Sequence, residues 1–342
     1  MFYRGSKSKA KIHLLLLILA GLIFTSCLST KEYPDGLKAC LTKCQSRFFW
    51  RIDGTDKRGK PSTVYIQGTY HIGDQRLYPV DEEVMTAFRN SDRLVAEVSS
   101  AESKNLEKEI SLLYVKSYNP ENNILEALSP EAAKNLAYLY EGEENVPLHW
   151  EPWIYNSSIN ASLNAASGLK TELGLDHYFK QEAAKMKKEV LGLDSLETQL
   201  RLSRYGDYES QLIFLEDTMA DFPFTKNVED LIKVYECYLS GREEELDRLV
   251  FGDEEEYLPE TRLLDAGTGS DINPSSETYL DERTQLYTNY YREVFIDRNF
   301  SWAQQIAAFL YQGKSTFIFA GAGHFIGSDS VFQLMKEAGD LE

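Results

Sequence analysis

The sequence predicts a globular fold that combines helices with a β-sheet, of the α/β or α+β class. Of its 342 residues, 43% are hydrophobic and 12% are aromatic, which is enough for the core of one large domain or two modest ones. Short β-branched and aromatic runs near both ends predict strands, whereas helical periodicity dominates between about residues 100 and 298. The net charge of −18 disfavours nucleic-acid binding, because phosphate affinity comes mainly from clustered Lys and Arg.

The first 26 residues differ from the rest and resemble a secretory signal peptide. A basic start precedes the apolar run Leu14 to Phe24, which is too short to span a membrane as a helix. Small residues then precede Cys27, as in a bacterial lipobox, so we expect Cys27 to be lipidated and to become the N-terminus. An ordinary cleaved signal is the alternative. With a lipobox, we expect the protein in the bacterial cell envelope, anchored to a membrane on its extracytoplasmic side.

Residues 27–47 follow as an expected tether, because they are rich in Ser, Thr, Lys, Pro and Gly. In an oxidising compartment Cys40 and Cys44 could form a local disulfide, which would leave Cys237 unpaired. The remaining chain, residues 48–342, is expected to form the folded domain.

The domain begins with a predicted hairpin, and the other elements follow in order. A turn rich in Asp and Gly joins the aromatic run Phe48 to Ile52 to the β-branched run Thr63 to Gln67. Asp81 can cap a helix that extends to about Asn90. The further predicted strands are Arg93–Val98, Glu189–Leu193 and Ser315–Ala320. The further predicted helices are Leu106–Tyr114, Pro130–Tyr140, Asp176–Lys188, Tyr208–Ala220, Val228–Leu239, Phe300–Tyr311 and one that starts near Ser330, and a Gly- and Ser-rich loop is expected over Asp265–Ser276.

Two histidines share one local pattern. His71 ends Gly68-Thr69-Tyr70-His71, His324 ends Gly321-Ala322-Gly323-His324, and an apolar strand leads directly into each motif. Gly68 and Gly321 would let the backbone turn sharply at the strand end. Each histidine would then project above the carboxyl edge of the sheet, where open α/β sheets bind their ligands.

Glu97 is predicted to lie at the same edge, near the end of an apolar strand. Burial of a carboxylate is unfavourable unless it meets a metal ion or a cation. His71, His324 and Glu97 therefore form a candidate ligand set for a divalent ion such as manganese, cobalt or zinc, with positions left for water. Glu97 could instead act as a general base, or it could simply pair with Arg298 in a structural ion pair. His149 and His177 lack this setting and are interpreted as surface or core residues.

These residues carry a resemblance to a known family. Further agreement lies in the central Gly174-Leu175-Asp176 and in Gly192-Leu193-Asp194, and it is strongest from Phe317 to Gly327. In this ordered combination the chain resembles the TraB/GumN family, which is related to the Tiki metalloproteases, over about residues 48–339.

The resemblance implies a mixed sheet built from both chain ends, with a large helical insertion over about residues 100–298. It also implies a divalent-metal hydrolase in which His71, Glu97 and His324 occupy functional positions. Arg298 matches an arginine that could bind substrate or stabilise an oxyanion. Asp194 stands where relatives usually carry Glu, which puts a metal or substrate role there in doubt.

The sequence thus predicts a lipid-anchored, extracytoplasmic, metal-dependent hydrolase that acts on a peptide or protein substrate. The alternative is a binding protein without catalysis, which would hold a peptide signal, or haem or iron through Tyr70 and the two histidines. A purely structural envelope lipoprotein would leave the paired histidines unexplained.

Overall fold

The computed structural model describes residues 36–252 and 282–342. The predicted signal peptide, Cys27 and the loop predicted over residues 265–276 lie outside these ranges. No helix within them is both long enough and apolar enough to cross a membrane.

A six-stranded mixed sheet lies at the centre of the fold. Its strands are β1 (Cys40–Lys43), β2 (Phe49–Thr55), β3 (Pro61–Thr69), β4 (Arg93–Ala96), β5 (Val190–Gly192) and β6 (Thr316–Gly321). They are arranged in the order β1-β2-β3-β6-β4-β5, in which β1, β2 and β3 pair antiparallel and all later neighbours pair parallel. The C-terminal strand β6 is inserted between two N-terminal strands, which confirms the mixed sheet expected from both chain ends.

The sheet begins within the segment that was expected to be a tether. Strand β1 pairs with β2 so that Leu41 faces Ile52. An edge strand forms backbone hydrogen bonds with only one neighbouring strand and can carry polar side chains. The amino-acid composition of β1 therefore resembles that of a linker. Cys40 and Cys44 are free thiols. Four residues of extended chain span about 13 Å, which exceeds the separation of about 7 Å that a disulfide allows.

Helices fill the middle of the chain and cover the sheet. In the first half they are α1 (Glu82–Asn90), α2 (Ser100–Ser103), α3 (Leu106–Lys116), α4 (Ile124–Ala127), α5 (Pro130–Leu139), α6 (Pro152–Ala166) and α7 (Leu175–Lys185). Then follow α8 (Leu196–Ser203), α9 (Tyr208–Ala220), α10 (Thr225–Ser240), α11 (Glu243–Phe251), α12 (Glu282–Tyr291), α13 (Asp297–Gln312) and α14 (Val331–Glu337). Short 3-10 turns occupy Gln75–Leu77, Glu143–Asn145, Thr171–Leu173 and Ala322–His324, and a π-helical turn over Arg292–Ile296 joins α12 to α13.

The predicted elements are confirmed, and the shifted boundaries matter at the site. Strand β4 ends at Ala96, so Glu97 follows it directly. Helix α13 begins at Asp297, three residues before the predicted start, and therefore includes Arg298. Ser330 caps α14 by accepting a hydrogen bond from the Gln333 amide at 3.3 Å. Asp81 precedes α1 as predicted, but its side chain makes no capping hydrogen bond, so the expected cap there was wrong.

An aromatic cluster packs the central strand β6 against helices α1 and α7. Phe317 is fully buried, and its ring centroid lies 5.3 Å from that of Phe88 on α1 and 5.4 Å from that of Phe179 on α7. Because β6 ends at Gly321 and leads directly to His324, this packing fixes the position of both residues relative to the sheet.

We expect Phe317→Ala to lower the free energy of unfolding by about 3–5 kcal/mol, because it leaves a large cavity among rings that cannot collapse around it. Phe300→Ala is the matched control, since that side chain is 47% exposed on α13, and its effect should stay within about 0.5 kcal/mol. Urea denaturation followed by circular dichroism measures both. Equal losses in the two variants would contradict this role of Phe317.

Candidate metal centre

The predicted site residues follow the carboxyl ends of three parallel strands. Thr69 at the end of β3 is in register with Gly321 at the end of β6, and Ala96 at the end of β4 pairs with Phe319 of β6. His71 and Glu97 therefore emerge side by side at one edge of the sheet, as the sequence predicts.

His71 lies between two carboxylates. Its Nδ1 atom is 2.8 Å from Asp176 Oδ2, and Thr69 Oγ1 donates to the other oxygen of Asp176, also at 2.8 Å. On the far side of the ring, Nε2 lies 3.7 Å from Glu97 Oε1, which is too long for a hydrogen bond. One ligand atom from each of His71, Glu97 and Asp176 lies within 4.8 Å of the others, and no other group of three His, Cys, Asp or Glu side chains in residues 36–252 and 282–342 meets this condition.

Glu97 is buried and held from two directions. Its Oε1 atom accepts a hydrogen bond from the Gly321 amide at 2.8 Å, and its Oε2 atom accepts one from Arg298 Nη2 at 2.9 Å. The carboxylate is therefore fixed with Oε1 facing His71. The ion pair with Arg298 that the sequence left as an alternative is present.

Arg298 uses all five of its N–H donors within the protein. Nε and Nη2 donate to Asp194 Oδ2, Nη2 donates to Glu97, and Nη1 donates to the Val294 carbonyl and faces His324 Nε2 at 3.1 Å. The side chain is 5% exposed. In this conformation Arg298 positions its neighbours, and its role in binding substrate or an oxyanion stays a prediction.

His324 lies in a different environment from His71. The amide nitrogen of Asn299 donates to the Asp329 carbonyl, so its oxygen faces His324 Nδ1 at 2.6 Å and that nitrogen carries the proton. Nε2 is then the acceptor for Arg298. Burial and the charge of Arg298 hold the pKa of His324 well below its ordinary value. The structure does not bring His324 into the cluster of His71, Glu97 and Asp176, and its role as a metal ligand stays a prediction.

Carboxylates and cations are mixed in this region. Glu97 and Asp194 pair with the Arg298 guanidinium, whereas Asp176 pairs with His71 and is also influenced by the positive charge of Lys180. Burial raises the pKa of Asp194 to about 6 against the opposing effect of Arg298. Burial alone would lower the pKa of His71, but the adjacent Asp176 and then Glu97 outweigh it and raise this pKa to about 9. At neutral pH a protonated His71 therefore completes the charge balance of the three carboxylates with Arg298 and Lys180. When His71 is neutral, one negative charge stays uncompensated, and a bound cation can take the place of the lost proton.

The motif glycines serve close packing and not a sharp turn. Gly68 lies inside β3, and a Cβ atom there would lie 3.1 Å from Ala322 Cα and from Phe48 Cβ. A Cβ atom on Gly321 would lie 3.2 Å from Glu97 Oε1 and 3.4 Å from His71 Nε2. Neither glycine has a positive φ angle. The expected turn was therefore wrong at Gly68, whereas the chain does turn after Gly321, into the 3-10 turn Ala322–His324, without a positive φ angle. The physical reason for glycine is the space that Ala322 and Phe48 require at Gly68 and that the two site side chains require at Gly321.

Sequence reasoning did not assign Asp176 or Asp194 to the site. Both end a Gly-Leu-Asp tripeptide, and in both cases the glycine packs on the backbone at a strand end. A Cβ atom on Gly174 would lie 2.2 Å from the His71 carbonyl oxygen, and one on Gly192 would lie 2.9 Å from the Ser99 nitrogen. The repeated tripeptide was the signal that could have identified both aspartates.

The remaining predicted residues lie apart from this cluster. His149 Nδ1 contacts the Asn122 carbonyl oxygen at 2.6 Å, and His177 contacts Gln181. The Tyr70 ring packs against those of Tyr235 and Tyr238.

Haem or iron ligation through Tyr70, His71 and His324 gains no support from this geometry. The Tyr70 ring is buried among other aromatic rings, and Arg298 occupies the free nitrogen of His324.

The comparisons with known proteins show the family to which this chain belongs. Residues 48–340 match the model of the TraB/PrgY/gumN family. The chain belongs to this family. An uncharacterized protein of Treponema pallidum (strain Nichols) is 26% identical over 94% of this chain and 89% of its own length.

Two metalloproteases of Xenopus tropicalis are also similar to this chain. Metalloprotease TIKI1 is 25% identical over 91% of the chain and 64% of its own length, and metalloprotease TIKI2 is 28% identical over 48% and 31%. The chain therefore spans less than two thirds of either metalloprotease. No solved structure matches it significantly.

We expect Gly174→Ala to disturb the site, because its new methyl group would overlap the His71 carbonyl, which is backbone and cannot move alone. The variant should lose about 1–3 kcal/mol of unfolding free energy. Gly323→Ala is the control, since a Cβ atom there meets only ordinary contacts of 3.5 Å or more. Thermal and urea denaturation of the two variants compare them, and a stable Gly174→Ala protein would show that the close approach does not constrain the site.

Proposed function

We propose that this protein is a divalent-metal-dependent hydrolase that cleaves peptide bonds. The observation that carries the proposal is the group of His71, Glu97 and Asp176 at the carboxyl edge of the parallel strands, with ligand atoms within 4.8 Å of one another. Part of this group is open to solvent, since the side chain of His71 is 27% exposed. A reacting group can therefore reach it.

The donor set fits a first-row divalent ion. Imidazole nitrogen and carboxylate oxygen suit zinc, manganese and cobalt. Two such donors bound tetrahedrally to one ion lie roughly 3.4 Å apart. The observed 3.7 Å between His71 Nε2 and Glu97 Oε1 is close to this value, and no hydrogen bond joins the two atoms. The uncompensated negative charge of the buried carboxylates favours a cation at the same place.

Each residue then has a separate task. His71 through Nε2 and Glu97 through Oε1 would hold the ion, which when bound lowers the pKa of a water molecule. Asp176 accepts the Nδ1 proton of His71 and so presents Nε2 towards the ion, an arrangement common at metal-bound histidines. Arg298 and the Gly321 amide orient Glu97. The activity on peptide bonds is proposed by analogy with the two relatives that are named metalloproteases.

We expect the purified protein to bind manganese, cobalt or zinc and to cleave a quenched-fluorescence peptide library. His71→Ala should abolish both properties, because it removes one ligand. Asp176→Asn should weaken metal binding about 10–100-fold, since it removes only the group that orients the histidine. Isothermal titration calorimetry and the fluorescence assay measure the two properties separately.

His149→Ala is the matched control, because its ring contacts the Asn122 carbonyl and not the cluster. It should retain metal binding and cleavage. Metal content equal in wild type and His71→Ala would contradict the proposed site. Stoichiometric metal without any cleavage would contradict the hydrolase, and peptide binding without turnover would then favour a binding protein.

We also propose that Cys27 carries a lipid and holds the enzyme to a membrane outside the cytoplasm. Support comes only from the sequence, in which small residues precede Cys27 after an apolar run. In a bacterial host, the wild-type protein should incorporate radiolabelled palmitate and remain with membranes, and Cys27→Ala should do neither. Cys40→Ala is the control and should be labelled like wild type, because that residue lies in strand β1. Labelling of Cys27→Ala would contradict the anchor.

A further inference from the structure

A cleft of about 780 Å³ lies among the helices, and none of its lining residues belongs to the site described above. Its walls come from α6, α8, α9, α10 and α12 and from the segment that precedes α7. This volume is typical of binding sites for small ligands and short chain segments. The cleft lining is mixed and not strongly charged.

Three asparagines of α6 form a row along one wall. Asn156, Asn160 and Asn164 are spaced four residues apart, and all three line the cleft. Four residues of α-helix rise about 6 Å. Two residues of an extended chain rise about 6.6 Å. A row of side-chain amides with this spacing can therefore meet every second peptide group of an extended chain.

The protein itself does not use these amides. Asn156 Oδ1 is buried without a hydrogen-bond partner. No hydrogen bond joins the side chain of Asn160 or Asn164 to another residue within the described ranges. Asparagine is a poor helix former, and the unpaired buried oxygen of Asn156 lowers stability. Asn160 and Asn164 are partly exposed, so their amides are open to a ligand in the cleft. Local helix propensity does not explain three asparagines in a row.

The backbone joins the cleft lining to the metal centre at two places. Lys170 lines the cleft and pairs with Gly73, two residues after His71, and its N–H donates to the Gly73 carbonyl at 2.8 Å. Glu172 also lines the cleft, and only three residues separate it from Asp176, so their Cα atoms lie at most about 14 Å apart. An extended peptide rises about 3.3 Å per residue, so a few residues are enough to span this distance.

We propose that this cleft binds an extended polypeptide through its main chain, with the side-chain amides of Asn156, Asn160 and Asn164 each pairing with a peptide group. The cleft would hold the substrate on one side of the bond to be cleaved, so this inference rests on the proposed function. Because the amides contact the backbone, recognition depends little on substrate sequence. Each asparagine amide has one donor and one acceptor group, which match the C=O and N–H of a peptide unit.

The aromatic residues of the cleft favour a peptide over an oligosaccharide. Sugar rings bind on exposed aromatic faces, but Trp153, Phe214 and Tyr290 in this lining are buried, and Tyr205 is only partly exposed. Trp153 also donates its indole N–H to Ser117 Oγ at 3.0 Å, so it belongs to the protein interior. The three asparagines lie beside other polar lining residues, and they form an evenly spaced row on one helix.

The test uses a fluorescein-labelled pool of randomised octapeptides and a second pool in which alternate backbone nitrogens are methylated. Fluorescence anisotropy is measured with the full-length protein in EDTA, and KM for the unmodified pool is measured with manganese. We expect wild type to bind the methylated pool at least tenfold more weakly. The double variant Asn160→Leu/Asn164→Leu should bind the unmodified pool at least tenfold more weakly and show a raised KM. Ser162→Ala is the control, because this residue is exposed on another face of α6 and does not line the cleft.

The outcomes separate the cleft from the catalytic proposal. The wild-type protein alone can overturn the inference. It would do so by binding the unmodified and the methylated peptides equally well, or by binding neither. Displacement of the bound peptide by chitotetraose at lower concentration than by unlabelled peptide would identify an oligosaccharide site and overturn it as well. If the double variant cleaved the peptides with an unchanged KM, the proposed peptide binding in the cleft would be wrong, while the hydrolase proposal would stand. Binding that depends on the peptide backbone, but without cleavage under any metal, would support the cleft and contradict the hydrolase.

Discussion

The guanidinium of Arg298 is the interaction on which the rest of the site depends. It bridges Glu97 and Asp194, both of which are buried, and it occupies the free nitrogen of His324. Two buried carboxylates without this partner would either take up protons or open the structure to water. Because Arg298 lies on α13, Glu97 follows β4 and Asp194 follows β5, one side chain fixes three elements relative to one another.

The two histidine motifs show how similar sequences acquire different chemistry from their surroundings. His71 has a carboxylate at Nδ1, partial exposure and a second carboxylate facing Nε2. His324 has an amide oxygen at Nδ1, complete burial and a cation at Nε2. The first arrangement raises basicity and attracts a cation, whereas the second keeps the ring neutral. In this conformation His324 therefore supports Arg298, and the open side of the site belongs to His71.

The helical insertion contributes more than a cover for the sheet. Asp176 lies in the first turn of α7, and the segment before it forms part of the rim of the cleft beside α6. Gly174 permits this arrangement, because its lack of a side chain lets the segment lie directly on the His71 carbonyl. The insertion thus supplies one member of the candidate metal cluster, and it brings a row of unpaired amides to the same side of the molecule.

The sequence by itself determined five of the six strands, most helices and the edge of the sheet at which the candidate site lies, because hydrophobic periodicity and strand-end residues are local properties. It missed the polar edge strand β1. It also identified His71, Glu97, His324 and Arg298 as candidates. Only the tertiary structure decided which groups face one another. Asp176 reaches His71 across 105 positions, and Arg298 reaches Glu97 across 201. Such pairings depend on how a helix docks on a strand end. A local sequence pattern contains no information about that docking.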